Sequence, residues 1–285
     1  MEPGLKTHVS GGTATVTISN TGKRNAVTVQ MWRDLPPLLE RLAGDRTVRS
    51  LVLTGEGGTF CAGADIGSLR DASGESQGLA VAAEEALAAF PGPTLAAIRG
   101  YCVGGGAQLA AACDLRFAEE GALFGVTPAK LGVVYPASAT RRLVRLVGPA
   151  TAKYLLFSGE LIDCARALRT GLVDEVPAEG ELDKRVAEFS AVLASRSLLT
   201  QTAAKELANG TWDVPPDEAE ERGAYWAAQA RASGDTAEGA AAFLERRAPR
   251  FEWNGGLGAT GGTAGTEATG GTTGPGDAGG TTRGC

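Results

Sequence analysis

The strongest constraint on the fold comes from two continuously apolar runs, "RSLVLTG" at residues 49–55 and "TLAAIRG" at residues 94–100. A run without alternation is typical of a strand buried on both faces. "TATVTI" at 13–18 alternates with period two, which predicts a half-buried strand. The amphipathic segment 27–42 predicts a helix, broken at Pro36 and Pro37 because a proline ring removes a backbone donor and clashes with the preceding turn.

The remaining chain extends this pattern into an α/β core followed by helices. "DLRFA" at 114–118 predicts a further strand, and from Ser138 onward the pattern is helical. Alternating strands and helices followed by helices alone predict an α/β core with a helical C-terminal part. We therefore expect a core over residues 1–195, a helical part over 196–253, and a tail over 254–285 of mostly Gly and Thr. Such a tail has too little apolar surface to offset its ordering entropy and is expected to be disordered.

Charge, cysteine and histidine content exclude several function classes. The formal net charge of −6, without a basic stripe, argues against a nucleic-acid partner. No apolar run has the length of a membrane span and the N-terminus lacks a secretory signal, so a cytoplasmic protein without a membrane partner is expected. The single histidine, His8, lies far from the glycine-rich motifs and is expected at the surface of a strand edge. A Ser/His/Asp or Cys/His mechanism and a metal site are therefore not expected. Five cysteines without CxxC spacing are expected to be reduced and mostly buried: Cys61, Cys102, Cys113, Cys164 and Cys285.

Two glycine-rich loops mark the expected site. "GGTFCAGADI" at 57–66 and "GYCVGGGAQL" at 100–109 each follow a buried strand, at the edge where open α/β sheets bind ligands. Three glycines at a helix start present free N–H groups, and two donors from two loops could bracket one oxygen as an oxyanion hole. Close packing of helix on strand is the alternative explanation. A P-loop would need Lys where Gly106 stands, and a dinucleotide fingerprint would need glycine where Leu109 stands, so both nucleotide motifs fail.

Five motifs in order, "GKRNAV", "FCAGADI", "YCVGGGAQLAAACDLRFA", "FGVTPAKLGVVYP" and "FLERRAPRF", together resemble the enoyl-CoA hydratase/isomerase (crotonase) family. The resemblance covers roughly residues 5–253. It implies a spiral of strand-strand-helix units with a helical C-terminal trimerisation part, assembled as a homotrimer or hexamer. It also implies an acyl-CoA or acyl-carrier thioester as substrate, with no cofactor besides the CoA of the substrate itself.

The same resemblance assigns site residues. The oxyanion hole would be the backbone N–H groups of Ala64 and Gly105. A neighbouring subunit's Phe243 and Arg246 would meet the adenine and phosphate end of CoA, although Phe243 could equally be a helix core residue. The other residues implied at the substrate are Lys23, Arg24, Ala26, Ala62, Asp65, Ile66, Gly104 and Gln108. Lys23 and Arg24 could also be solvated charges, and Gln108 could simply fill space.

The chain departs from the family's hydratases where these carry two glutamates, because Gln108 and Pro128 stand there. Neither can exchange a proton with water at neutral pH, so the usual acid-base pair is missing. "VTPAKLGVVY" resembles methylmalonyl-CoA decarboxylase members, which implies that Thr127 and Tyr135 orient the departing carboxylate. A structural tyrosine and a turn threonine are the alternatives for these two residues. A hydratase or isomerase using Asp71 or Glu75, and a non-catalytic acyl-CoA-binding protein, remain open as functions.

Overall fold

A computed structural model describes residues 2–65, 75–210 and 214–254. The strands are β1 Gly4–Ser10, β2 Thr13–Ser19, β3 Ser50–Gly55, β4 Thr94–Ile98, β5 Tyr101–Val103, β6 Leu115–Ala118, β7 Leu123–Gly125 and β8 Ile162–Asp163. The larger sheet has five strands in the order β1-β2-β3-β4-β6. β1 and β2 pair antiparallel, and every later pair in this sheet is parallel. A smaller sheet has the order β5-β7-β8.

The helices connect these strands and then continue alone to the C-terminal side. A short 3-10 turn at Thr21–Lys23 precedes the first of them. They are α1 Val29–Gly44, α2 Glu75–Ala88, α3 Gly105–Ala112, α4 Pro128–Leu131, α5 Ala137–Ser158, α6 Cys164–Thr170, α7 Leu182–Ala194, α8 Leu198–Gly210, α9 Pro216–Ala232 and α10 Asp235–Glu245. No helix in the described ranges is long and apolar enough to cross a membrane.

The strand predictions hold because burial follows the sequence pattern. β3 and β4 are buried along nearly their whole length, whereas β2 alternates. His8 is exposed on β1, the edge strand, as expected. Four cysteines are free and buried as predicted, namely Cys61, Cys102, Cys113 and Cys164. Ile66, Asp71, Cys285 and all of the expected tail except Asn254 lie outside the described residues.

The predicted break at Pro36 and Pro37 is wrong, because α1 runs continuously from Val29 to Gly44 through both prolines. Its start is capped by the Thr28 hydroxyl, which accepts from the Met31 N–H. Six of its apolar side chains are buried against the core: Met31, Trp32, Leu35, Leu38, Leu39 and Leu42. Their burial offsets the missing backbone donors.

Candidate active site

A cavity of about 370 Å³ opens at the carboxyl ends of β3 and β4. Its walls come from the loop after β3, the start of α3, the first turns of α2, Trp32 of α1, and segment 127–136. Both glycine-rich loops meet there, although the second does not follow β4 directly as predicted. The short strand β5 lies between β4 and the three glycines, and it belongs to the smaller sheet.

Backbone pairing fixes the direction of the Ala64 N–H. On either side of it, the Gly63 carbonyl accepts from the Val27 N–H at 2.8 Å and the Asp65 N–H donates to the Val27 carbonyl at 2.9 Å. The Gly63 carbonyl and the Ala64 N–H belong to one trans peptide group and point in opposite directions, so the Ala64 N–H points away from Val27. Within the described part of the chain it donates to no other group.

Gly105 supplies the second free donor from the first turn of α3, where backbone N–H groups lack helical partners. A Cβ at Gly105 would lie 3.3 Å from the Ala64 nitrogen, so the two peptide units are closely apposed. Gly104 before it has φ 54°, a conformation that favours glycine. One free N–H group in the loop after β3 and one at the start of α3 can together bind one partially negative oxygen.

Glycine is favoured at positions 104, 105 and 106 for three different structural reasons. Position 104 has a positive φ, which glycine adopts without strain, and the missing side chain at Gly105 allows the α3 backbone to lie close to Ala64. A Cβ at Gly106 would lie 2.4 Å from the Cys61 carbonyl oxygen, so Gly106 serves the packing of α3 on the first loop. Gly106 thus fits the helix-packing explanation, whereas a ligand-binding role for Gly104 and Gly105 stays a prediction.

Thr127 and Tyr135 line the cavity, and the Tyr135 side chain also packs against the hydrophobic core. Neither hydroxyl has a hydrogen-bond partner among the described residues, and the Thr127 side chain does not cap α4, which it precedes. Burial, reinforced by the nearby Glu84 carboxylate, raises the pKa of Tyr135 above its ordinary value. Tyr135 is therefore a neutral hydroxyl at physiological pH.

Gln108 also lines the cavity, and its amide is held from behind by α2. Its Nε2 donates to Glu84 Oε2 at 2.9 Å and makes a longer contact with the Ala80 carbonyl at 3.5 Å. Pro128 occupies the wall at the other position where the resemblance places a glutamate. The described lining residues include no Asp or Glu, and Lys130 is the only one with a charged side chain.

The residues expected along CoA gather beside the first loop. The Ala62 N–H donates to the Arg24 carbonyl at 3.0 Å, and Lys23 Nζ lies 2.6 Å from Asp65 Oδ2. The exposed Arg24 guanidinium lies over the Tyr101 ring, with Cζ 5.2 Å from the ring centroid, and its role along CoA stays a prediction. Ala26 is buried next to them.

Phe243 and Arg246 lie at the end of α10, and neither lines the cavity. Phe243 is 84% exposed, so within this chain it is not a helix core residue. The role expected for both residues belongs to a neighbouring subunit and stays a prediction. Of the alternative acids, Asp71 lies outside the described residues, and Glu75 begins α2.

Sequence reasoning missed Trp32, Lys130 and Glu84. Trp32 is buried, its ring lines the cavity, and its Nε1 has no hydrogen-bond partner in the described chain. Glu84 could have been found from spacing. Ala80, Ala83 and Leu87 predict the buried face of a helix, and position 84 lies on that face. Within the described ranges, no three His, Cys, Asp or Glu side chains are placed to hold one metal ion.

The sequence and fold identify the family. The family model described as enoyl-CoA hydratase/isomerase matches residues 8–254. This chain belongs to the enoyl-CoA hydratase/isomerase family. The human enoyl-CoA hydratase domain-containing protein 2, mitochondrial, is 35% identical over 251 residues, covering 84% of this chain and 85% of that protein.

Solved structures agree with this assignment. A crystal structure of an enoyl-CoA hydratase/isomerase family member matches with a TM-score of 0.83 and 36% identity, covering 88% of this chain and 99% of that one. An enoyl-CoA hydratase/carnithine racemase from Magnetospirillum magneticum matches with a TM-score of 0.81 and 32% identity, covering 88% and 96%. The chain therefore has the crotonase-like α/β fold with a helical C-terminal part, and it is an acyl-CoA-processing member of this family.

Proposed function

We propose that this enzyme decarboxylates a 2-carboxyacyl-CoA of the methylmalonyl type and stabilises the resulting thioester enolate between the Ala64 and Gly105 N–H groups. The observation that carries the proposal is the composition of the cavity wall. Its described polar side chains are hydroxyls, amides, an indole and one lysine, with no carboxylate. Two free backbone donors lie close together, and the described lining residues lack the acid-base pair that hydration requires.

Decarboxylation forms an enolate without a base. The bond between C2 and the carboxylate breaks, its electron pair moves into the thioester carbonyl, and carbon dioxide leaves. C2 then takes a proton to give the shorter acyl-CoA. A glutamate facing the substrate carboxylate would oppose binding, because two unit charges 4 Å apart interact by about 4 kcal/mol at an effective dielectric near 20. Gln108 and Pro128 remove that repulsion. The reaction as proposed uses no cofactor beyond the CoA of the substrate.

Thr127 and Tyr135 are the proposed holders of the carboxylate. Both residues line the cavity, and their hydroxyls have no partners in the described chain. Burial raises the pKa of Tyr135, which keeps its hydroxyl a neutral donor. Donation to the carboxylate would keep it out of the thioester plane, where the breaking bond overlaps the carbonyl π system. Orientation of this kind contributes directly to the rate.

The test is turnover of methylmalonyl-CoA and crotonyl-CoA by the wild-type protein and Tyr135→Phe, followed by mass spectrometry. A hydrogen bond to a charged group is worth about 1.5–3 kcal/mol, so kcat/KM for propionyl-CoA formation should fall about 10- to 150-fold in the variant. Tyr225→Phe is the matched control, because Tyr225 is exposed on α9, away from the cavity. Wild-type protein that leaves malonyl, methylmalonyl and ethylmalonyl thioesters untouched would refute the proposal.

A hydratase or isomerase function is the second candidate, and the names of the relatives favour it. Its acid would come from elsewhere, with Asp71 and Glu75 the nearest candidates in sequence. In the same experiment it predicts 3-hydroxybutyryl-CoA from crotonyl-CoA, a product that is lost in Asp71→Asn or Glu75→Gln.

We further propose a homotrimer or hexamer in which Phe243 and Arg246 of one copy meet the CoA bound by the next. Phe243 and Leu244 are 84% and 81% exposed at the end of α10, which is unusual for two adjacent large apolar side chains. Light scattering gives the assembly size. Arg246→Ala should raise the KM for CoA thioesters and leave the KM for a pantetheine thioester unchanged.

A further inference from the structure

The buried carboxylate of Glu84 lies behind the cavity wall and belongs to none of the roles above. Its side chain is 0% exposed in the middle of α2. Three side chains bind it: Arg142 Nε donates to Oε1 at 2.8 Å, while Ser138 Oγ and Gln108 Nε2 donate to Oε2 at 3.0 and 2.9 Å. A fully buried carboxylate is stable only when paired and hydrogen-bonded in this way. Ser138 and Arg142 come from α5, so Glu84 joins three helices at one point.

Of these three partners, only Gln108 lines the cavity. A primary amide has a donor end, the NH₂ group, and an acceptor end, the oxygen. If the amide turned over, Oε1 would face the Glu84 carboxylate, and two acceptors would meet without a proton between them. The Glu84 carboxylate therefore holds Gln108 Nε2 on the α2 side, where the Ala80 carbonyl is a second acceptor.

Locking Nε2 decides which end of the amide a ligand can use. Gln108 Oε1 has no hydrogen-bond partner within the described residues, whereas both acceptors near Nε2 come from α2. Without Glu84, the amide could turn and offer its donor end to an anionic substrate group. With Glu84 paired to Arg142 and accepting from Nε2, only an acceptor is available.

We infer that Glu84 is a positioning residue that fixes the Gln108 amide with its oxygen toward the acyl group. This inference rests on the proposed function. A substrate carboxylate, which is itself an acceptor, is then turned away from Gln108 and toward the hydroxyls of Thr127 and Tyr135. A water molecule or a substrate hydroxyl, which can donate, is instead accepted by Oε1. Glu84 acts through Gln108 and does not touch the substrate.

The test is a double-mutant cycle of Glu84→Gln and Gln108→Met, read as kcat and KM for the acyl-CoA that wild type turns over. Glu84→Gln alone should lower kcat/KM about tenfold, with most of the change in kcat. Added to Gln108→Met, it should have no further effect, because the group that it orients is gone. Equal losses in both backgrounds would show a merely structural role and overturn the inference.

Glu85→Gln is the matched control. Glu85 is the next residue of α2 and also pairs with Arg142, at 2.8 Å, but it is exposed and does not contact Gln108. It should leave kcat/KM within twofold of wild type, and a loss equal to that of Glu84→Gln would overturn the inference by assigning the effect to Arg142. If Glu84→Gln does not fold by circular dichroism, Glu84→Asp replaces it. That variant keeps the charge facing Arg142 and withdraws the carboxylate from Gln108.

The outcome separates the inference from the proposed function. If wild type decarboxylates nothing but hydrates crotonyl-CoA, the proposed function fails and the cycle is read in hydration. If wild type turns over neither, the cycle is read as the Kd for acetyl-CoA, measured by calorimetry. Non-additivity between Glu84→Gln and Gln108→Met supports the positioning role in every case, and additivity overturns it.

Discussion

Single backbone positions decide what the glycine motif does, and Gly105 and Gly106 can be separated experimentally. A Cβ at Gly105 would lie 3.0 Å from Trp32 Cζ2 and 3.3 Å from the Ala64 nitrogen, contacts that small shifts can relieve. A Cβ at Gly106 would lie 2.4 Å from the Cys61 carbonyl oxygen, which requires the backbone to move. The first change disturbs the two donors, and the second disturbs the packing of α3.

We therefore expect Gly105→Ala to lower kcat at least tenfold while Tm changes by less than about 3 °C. Gly106→Ala should lose about 1–3 kcal/mol of unfolding free energy, because overpacking strains the surrounding backbone. Thermal melts beside steady-state kinetics on the accepted acyl-CoA make the comparison. The same ratio of activity loss to stability loss in both variants would contradict the separation.

At the scale of elements, α1 shows how burial overrides local preference. Pro37 is exposed in the interior of this helix, where proline costs about 3 kcal/mol relative to alanine. Part of that cost is offset because proline also restricts the unfolded chain. Pro37→Ala should raise the free energy of unfolding by about 1–2 kcal/mol in denaturant titrations. Glu40→Ala, at another exposed position of α1, should change it by less than about 0.5 kcal/mol, and an unchanged or lower stability of Pro37→Ala would contradict the argument.

The end of α10 is fixed to the following segment by a charged contact that depends on pH. Glu238 accepts from both terminal nitrogens of Arg247 and from the Arg250 N–H, and these bonds lower the pKa of Glu238 to about 2. Its ordinary value is near 4.3. A lowered carboxyl pKa stabilises the folded state above the ordinary pKa, and this contribution is lost as pH falls from about 4.5 to about 2.

Amide hydrogen exchange of residues 246–254, corrected for the intrinsic pH dependence, should therefore accelerate as pH falls through this range. Glu238→Gln should already show faster exchange at pH 7 and little further change on acidification. Glu245→Gln is the control, since Glu245 also pairs with Arg247 but does not accept from Arg250. Wild-type exchange that stays flat between pH 5 and 2.5 would refute the pairing.

Much of the larger sheet could be predicted because its strands carry their burial in their own periodicity. Residues 49–55 and 94–100 are apolar without alternation, and they form the adjacent parallel strands β3 and β4. The smaller sheet could not be predicted, because β5 and β7 have three residues each and β8 has two, too few for any period to show. Their pairing depends on contacts distant in sequence.

Part of the candidate site could also be predicted from the sequence. The meeting of Ala64 and Gly105 follows from loops at the ends of neighbouring strands, and the motifs place these loops by resemblance. The contact of Gln108 with Glu84 depends instead on how α2 lies across α3 and α5, which no local pattern encodes. Helical spacing indicates that Glu84 is buried, but it does not identify the partner.

At the scale of the whole molecule, the two sheets and the cavity share one core. The backbones of Cys61 and Cys102 form an isolated β-bridge that joins the first glycine loop to β5, and both thiols are free. Cys113 is the residue that follows α3. Burial raises the pKa of the Cys61 and Cys113 thiols to about 12, and it also raises the pKa of Cys102 and Cys164. Since the thiolate is the nucleophile, these cysteines should react only when the core opens.

We expect no fast-reacting thiol in native Cys285→Ser protein treated with iodoacetamide, a background in which only the four described cysteines are counted. At pH 9 the Cys61 and Cys113 thiols, with a pKa near 12, are only about one part in a thousand ionised, so raising the pH from 7 to 9 should not produce a species labelled at either site. Modification should instead follow guanidinium unfolding, with all four sites appearing together by mass spectrometry. One site labelled ahead of the rest would show that the core opens locally, and Cys61 labelled first would place that opening at the loop that carries Ala64.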